Sequence, residues 1–236
     1  MRRPPEPQPR APFSGPGVPV GPGPDGEADL EGFALPVEAS YHPHPTDAAG
    51  VPAWLAATLN YCSRCGSQLA FGPIEGEERE RLACPDCGFI AYVNPRLVVT
   101  TLPVTDTGEV VLLRRGIEPG YGQWAQPGGF LEVDETVNDG AIRETFEETG
   151  LVVEPGEIVG LYSRPQAAIV VVAFEARISG GEIRTSPEAL EVMPFAPEAV
   201  PWSGIAFYTT TWALRDWIRL RHPELHPRTE RREARR

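Results

Sequence analysis

The sequence predicts a folded domain of the α/β (α+β) class, and three observations carry that reading. β-branched runs recur after Pro95, stretches of helical length lie between and after them, and glycines stand where turns and a helix end are needed. Leu97 to Val104 reads as a strand, Gly108 as a turn, and Val110 to Leu113 as the antiparallel partner. A glycine-rich loop from Gly116 to Gly129 carries Tyr121 and Trp124. A helix is expected from Glu135 to Thr149, with Asp134 as its N-cap and Gly150 as the left-handed residue that ends it. Strands should follow at Leu151 to Tyr162, Ala167 to Ile178 and Leu190 to Phe195. In the closing helix, Phe207 to Leu220, the residues Trp212, Leu214, Trp217 and Ile218 read as core packing.

The domain accounts for residues 96–222 of 236. Ahead of it, residues 1–53 hold about half of the 27 prolines, interleaved with Gly15, Gly17, Gly21 and Gly23. Such a segment cannot bury enough apolar surface to offset its ordering entropy, so a disordered extension is expected. Residues 54–95 carry all four cysteines and form a second, small unit. Residues 223–236 form a basic tail; from Arg215 onward eight arginines face Asp216, Glu224, Glu230 and Glu233. A solvated end is the favoured reading of that cluster.

Composition excludes several chemistries. All 21 basic residues are arginine, so lysine-dependent phosphate loops, Schiff bases and protein-kinase catalysis are ruled out. His42, His44, His222 and His226 all lie outside the stretch from Thr46 to Arg221, so a central site has no histidine base. Histidine triads, histidine–zinc hydrolase sites and two-histidine iron centres are excluded there. Proton chemistry would then fall to carboxylates, with a metal ion if needed. A net charge of −12 argues against specific nucleic-acid or anionic-membrane partners. The chain has no apolar run of roughly 18 residues and no apolar stretch behind its basic start, so a cytoplasmic protein is expected.

The cysteines form two C-x2-C pairs, Cys62/Cys65 and Cys84/Cys87. That spacing matches a zinc ribbon, in which four thiolates surround one tetrahedral Zn²⁺. Disulfide pairing is disfavoured in a reducing compartment, and a redox role would leave one pair idle. With every thiolate consumed as a ligand the site is structural and cannot activate water. Gly66 and Gly88, after each second cysteine, allow backbone amides to turn back toward the sulfurs.

Chemistry concentrates in Gly128-Gly129-Phe-Leu-Glu-Val-Asp-Glu135 and Arg143-Glu144-Thr-Phe-Glu147-Glu148-Thr-Gly150. Glu144, Glu147 and Glu148 stand at i, i+3 and i+4, on one helical face. Like charges at that spacing repel, and hard oxygen ligands suit Mg²⁺ or Mn²⁺. Val137, Ile142 and Phe146 offer apolar anchors on the other side, and Gly128 and Gly129 permit close approach of a substrate.

These residues spell G-x5-E-x7-R-E-U-x-E-E-x-G-U, and the chain resembles the Nudix hydrolases. Gly129, Glu135, Arg143, Glu144, Glu147, Glu148, Gly150 and Leu151 fill the pattern, with one departure at Thr145, where an apolar residue is preferred and packing should loosen slightly. A ribbon directly before the domain resembles the NADH-pyrophosphatase-related and ADP-ribose (FAD) pyrophosphatase branch. The resemblance implies an α/β/α sandwich around a mixed sheet, with Glu144, Glu147 and Glu148 as Mg²⁺ ligands aided by the Gly129 backbone. It implies catalytic roles for Glu147, Glu148 and Arg143, with Glu135 buttressing the loop. An acid outside the pattern is expected at Glu188 or Glu191, with Glu191 preferred for the Val-Met-Pro-Phe that follows it.

The expected activity is cleavage of a nucleoside diphosphate linked to another moiety, with ADP-ribose favoured and NAD(H) or FAD as the alternative. The stretch Tyr162-Ser-Arg-Pro-Gln-Ala-Ala168 lacks the Trp and Phe of the NADH-pyrophosphatase array, while Pro165 falls where ADP-ribose-preferring members often have proline. Tyr121 and Trp124 could stack on adenine, although packing of the loop is the favoured reading. The partner is a small nucleotide, with a homodimer left open. A Nudix-fold binding module without catalysis is the reading from another class.

Overall fold

The computed structural model describes residues 59–225, so the expected proline-rich extension and nearly all of the basic tail lie outside the described residues. At the N-terminal end of that range, strands β1 (Ala70–Gly72), β2 (Arg81–Ala83) and β3 (Ile90–Ala91) form an antiparallel sheet in that order. Among residues 59–93 only Cys62 and Cys84 are buried. Apolar packing cannot hold so small a unit together, which leaves the task to the thiols.

The larger sheet contains strands β4 (Arg96–Val104), β5 (Val110–Arg115), β6 (Trp124–Ala125), β7 (Gly128–Phe130), β8 (Leu151–Arg164), β9 (Ile169–Gly181) and β10 (Ala189–Phe195). Its main path runs β10-β5-β4-β9-β8, with β6 on β5 and β7 on β4. Only the β4–β9 pair is parallel, matching Arg96 with Ile169 at one end and Val104 with Arg177 at the other, so the sheet is mixed. The β4–β5 hairpin closes through Gly108, which adopts φ 85° and donates its N–H to Thr105 O at 2.9 Å. Within this hairpin, ladder pairing is confined to the turn end, at Val104 and Val110. Farther along, β4 pairs with β7 instead, through Val98–Phe130, Val99–Gly129 and Thr100–Gly128. The expected glycine-rich loop therefore contains two short strands, and one of them ties the glycine pair to the sheet.

The two α-helices among the described residues, α1 (Val137–Thr149) and α2 (Tyr208–Arg221), cover opposite faces. Alternation along β4 shows this directly. Val98 and Leu102 pack with Ala213, Leu214 and Trp217 of α2, whereas Val99 packs near Ala141 of α1 and Thr101 bonds to Thr145. The sandwich implied by the sequence resemblance is thus present.

Several details differ from expectation. Helix α1 begins at Val137 with Thr136 as N-cap, not at Glu135 with Asp134. Thr136 Oγ1 accepts from the Asp139 N–H at 3.2 Å and the Asp139 carboxylate accepts from the Thr136 N–H at 3.3 Å, a reciprocal box that outcompetes Asp134. Glu135 is meanwhile drawn away by Arg143. Gly150 ends the helix as expected, at φ 76°. Phe146 is not a core anchor but lies exposed beneath the Arg184 guanidinium, 4.7 Å from its ring centre. Trp212 is likewise exposed, near Tyr208 and Tyr162, whereas Leu214, Trp217 and Ile218 are buried as expected. Trp124 packs edge-on against Phe195 at 4.8 Å, the structural role favoured for it, while Tyr121 is exposed.

Because Leu214 is fully buried between α2 and the sheet, Leu214→Ala should destabilise the chain by roughly 2–5 kcal/mol. Urea unfolding measures this; a loss under about 1 kcal/mol would contradict the packing described.

Candidate active site and metal centres

The carboxylate cluster is assembled from one helix and one loop. Glu144 and Glu148 lie a turn apart on α1, facing the β7 loop. The Gly128 N–H donates to Glu148 Oε2 at 2.7 Å. At Gly129, an added Cβ would stand 2.5 Å from the Glu144 carboxylate and would push it from its present place. Gly128 is the more constrained, with φ 149° and backbone of β4 where a side chain would go. These contacts account for both glycines of the pair.

Arg143 organises the remaining acids. Its Nε and Nη2 donate to the two oxygens of Glu135 at 2.9 and 2.6 Å, a bidentate pair, and Nη2 also reaches Phe130 O at 3.2 Å. Its Nη1 donates to Glu144 at 2.8 Å and Glu147 at 3.3 Å. One guanidinium thus joins the loop, the residue before the N-cap and two of the three cluster acids. Those bonds from Arg143 pull the Glu135 carboxyl down to about 2. Burial acts the other way on Glu148: its carboxyl is pushed up to about 8, first by desolvation and further by the Glu144 and Glu188 charges. Glu144 is also raised, again chiefly by burial. Glu147 is the most exposed of the three.

Charge crowding of this kind fits a bound dication. Two partly desolvated carboxylates, an exposed third and a closely approaching glycine backbone supply the hard oxygens that Mg²⁺ or Mn²⁺ prefers.

The two acids outside the helix are placed differently. Glu191 on β10 is a partly exposed partner of Arg114, 3.6 Å away. Glu188, just before β10, bears on both Glu144 and Glu148 through its charge, and its carbonyl accepts from the Gly116 N–H at 2.7 Å. Arg115 went unremarked in the sequence. It is half-buried, bonds Pro119 O at 2.8 Å, lies over the Phe207 ring at 4.9 Å and acts electrostatically on Glu148. Strand alternation held the available signal: Arg114 pairs with Glu191, so Arg115 must point to the opposite face.

The four cysteine sulfurs lie within 4.8 Å of one another and form no disulfide. Cys62 and Cys87 Sγ are 3.7 Å apart, and Cys65 and Cys84 Sγ 3.4 Å. Tetrahedral Zn²⁺ with bonds of about 2.3 Å requires edges near 3.8 Å, so the set fits. The two knuckles repeat one design. Gly66 and Gly88, at φ 81° and 70°, donate to Cys62 O and Cys84 O, each at 2.9 Å. With their own amides bound to carbonyl oxygens, the glycines turn the chain so that the next amides, those of Ser67 and Phe89, bear on the sulfurs of Cys65 and Cys87, while the Arg64 amide lies 3.4 Å from Cys62 Sγ.

Comparison with known proteins agrees with both units. Residues 94–217 match the NUDIX domain model, and residues 60–93 match the Nudix N-terminal zinc-ribbon model. The chain belongs to the Nudix family. It is 39% identical over 102 residues to a MutT-like protein of Streptomyces ambofaciens, covering 43% of this chain and 64% of that one. An ADP-ribose pyrophosphatase of Methanocaldococcus jannaschii is 32% identical, with 47% and 67% covered. An NAD-capped RNA hydrolase, NudC, of Stutzerimonas stutzeri is 30% identical, with 56% and 45% covered. The chain therefore matches about half to two thirds of the length of these relatives. The crystal structure of a NUDIX hydrolase from Nitrosomonas europaea superposes with TM-score 0.66 at 35% identity, covering 70% of this chain and 93% of that one. No helix among the described residues is long and apolar enough to cross a membrane.

Two outcomes test the metal sites. Metal analysis of purified protein should find near-stoichiometric zinc, and Cys84→Ser should lose most of it; zinc-free wild type with an intact ribbon would contradict the assignment. Glu148→Gln should stabilise the metal-free chain at neutral pH, because the carboxyl, ionised when unfolded and raised to about 8 by burial, must take up a proton to fold and the amide need not, while abolishing stabilisation by added Mg²⁺. Thermal melts with and without Mg²⁺ measure both, and an unchanged Mg²⁺ response would remove Glu148 from the ligand set.

Proposed function

We propose that the chain is a Mg²⁺- or Mn²⁺-dependent hydrolase that cleaves the pyrophosphate bond of a nucleoside diphosphate linked to another moiety. ADP-ribose is the favoured substrate, with AMP and ribose 5-phosphate as products. The observation that carries this reading is the clasp between the Gly128-Gly129 loop and Glu144 and Glu148. A module that only bound nucleotides would have no use for two desolvated carboxylates facing one loop. The ADP-ribose pyrophosphatase among its relatives supports the substrate class.

Glu144, Glu147, Glu148 and the Gly129 backbone would hold the metal. When bound, the ion supplies charge neutralisation for the pyrophosphate oxygens and acidifies a water. Arg143 keeps Glu144 and Glu147 oriented and fixes the loop through Phe130 O. Glu148, the most buried of the three acids and fixed by the Gly128 N–H, is the candidate to accept the proton of that water. Of the two outside acids, Glu188 is better placed than Glu191 to assist, because its charge reaches the cluster while Glu191 is held by Arg114. Arg115, beside Glu148, is placed to meet a substrate phosphate.

The NudC relatives favour a second reading, an NAD-capped RNA end as substrate, beside the NAD(H) or FAD alternative read from the sequence. The absence of Trp and Phe from Tyr162 to Ala168, and a net charge of −12, weigh against NADH and against a long polyanion. Four thiols gathered for zinc suit a reducing compartment such as the cytoplasm.

The test is hydrolysis of ADP-ribose, NADH, NAD⁺, FAD, diadenosine polyphosphates and NAD-capped RNA with Mg²⁺ or Mn²⁺. ADP-ribose should give the highest kcat/KM, and hydrolysis of none would overturn the enzyme reading. Glu148→Gln should lower kcat by about 10²-fold or more. Glu188→Gln should lose more activity than Glu191→Gln, and the reverse ranking would return the auxiliary role to Glu191.

A further inference from the structure

We propose that Thr101 and Thr145 form a positioning pair that sets the axial place of the carboxylate helix, with Thr101 tied to both halves of the site. The proposal rests on the carboxylates being metal ligands. Thr145 fills the position where the Nudix pattern prefers an apolar residue, yet its side chain is fully buried, as is that of Thr101 on β4. A buried hydroxyl without a partner would be a liability. Here the two Oγ1 atoms are 2.7 Å apart.

The direction of that bond follows from proton counting. Thr145 Oγ1 donates to Ala141 O at 2.7 Å, which uses its only proton. Thr101 must therefore donate to Thr145. The Thr101 N–H also donates to Pro127 O at 3.0 Å, immediately before Gly128 and Gly129. Its backbone thus holds the loop and its side chain holds α1. An apolar contact at residue 145 would tolerate sliding along the sheet, whereas a bond of this length does not. Glu144, beside Thr145, lies against Gly129, and Glu148, a turn later, accepts from Gly128. Both contacts depend on the axial place of the helix relative to the loop, which Thr101 ties together.

The two threonines are unequal. Thr145→Val strands the Thr101 hydroxyl without an acceptor. Thr101→Val leaves Thr145 still donating to Ala141 O. The double variant removes both hydroxyls and strands neither.

The experiment uses the full chain, with urea unfolding and Mn²⁺ binding by EPR in the absence of substrate. Thr145→Val should lower the folding equilibrium constant roughly ten-fold or more, Thr101→Val should lower it less, and the double variant should recover most of the loss. Thr145→Val and the double variant should both bind Mn²⁺ several-fold more weakly, and Thr145→Ser should restore stability and affinity. Additive stability losses would overturn the pair, as would unchanged Mn²⁺ affinity in Thr145→Val and the double variant. Wild-type protein that fails to bind Mn²⁺ would overturn the metal reading itself, whereas intact wild-type binding with additive losses would overturn the pair alone.

Discussion

Mutual repulsion among Glu144, Glu147 and Glu148 is the constraint that the surrounding structure answers. Three carboxylates on neighbouring turns would by themselves disfavour the helix that bears them. Arg143 offsets part of this by spreading one cation over Glu135, Glu144 and Glu147. Glu148 lies outside that reach and instead takes a backbone N–H from Gly128. What remains is a pair of desolvated carboxyls, and a dication would relieve the cost of ionising them. The reciprocal box at Thr136 and Asp139, and the left-handed Gly150, hold the helix ends against the same repulsion.

Strand β4 converts this local arrangement into a rigid one. It lies between the helices, contributes Leu102 to one core cluster and Val99 to another, and pairs with β7 on one edge and β9 on the other. The glycine loop is therefore part of the sheet, and substrate would meet a backbone fixed by ladder hydrogen bonds. The ribbon follows a different rule. With only two buried residues among 59–93, both cysteines, its order depends on thiol geometry where the larger domain depends on packing.

Strands β4, β5, β8, β9 and β10 and the two helices of the larger domain were legible from the sequence because β-branched runs and glycine punctuation are local signals, whereas β6 and β7, two and three residues long, are too short to give one. The acidic face of α1 was legible because i, i+3, i+4 spacing translates directly into one side of a helix. The N-cap was misplaced because Asp134 and Thr136 are both good caps, and only the position of Asp139 relative to Thr136 decides between them. Phe146 and Trp212 were taken for core because hydrophobicity alone cannot show that Arg184 or Tyr208 provides the cover. The place of Arg115, and the standing of Glu188 against Glu191, depend on which residues lie across the sheet. Nor does any local pattern reveal that Thr145 meets Thr101, 44 residues away in the chain.

The parallel β4–β9 ladder also governs when the site can exist. Arg96 pairs with Ile169, so the strand holding the glycine loop has its partner on the far side of α1 and β8 in the chain. Long-range pairing of this kind is formed late and slowly, since loop closure precedes the contacts that reward it. A ribosome must therefore release β9 before β4 is fully paired. Until then the acidic helix can form locally but lacks the sheet against which its carboxylates are aligned. The knuckles of the ribbon, with Cys62 and Cys87 only 25 residues apart, can close well before that. The two metal centres would thus mature in chain order, the structural one first and the catalytic one only when the sheet is complete.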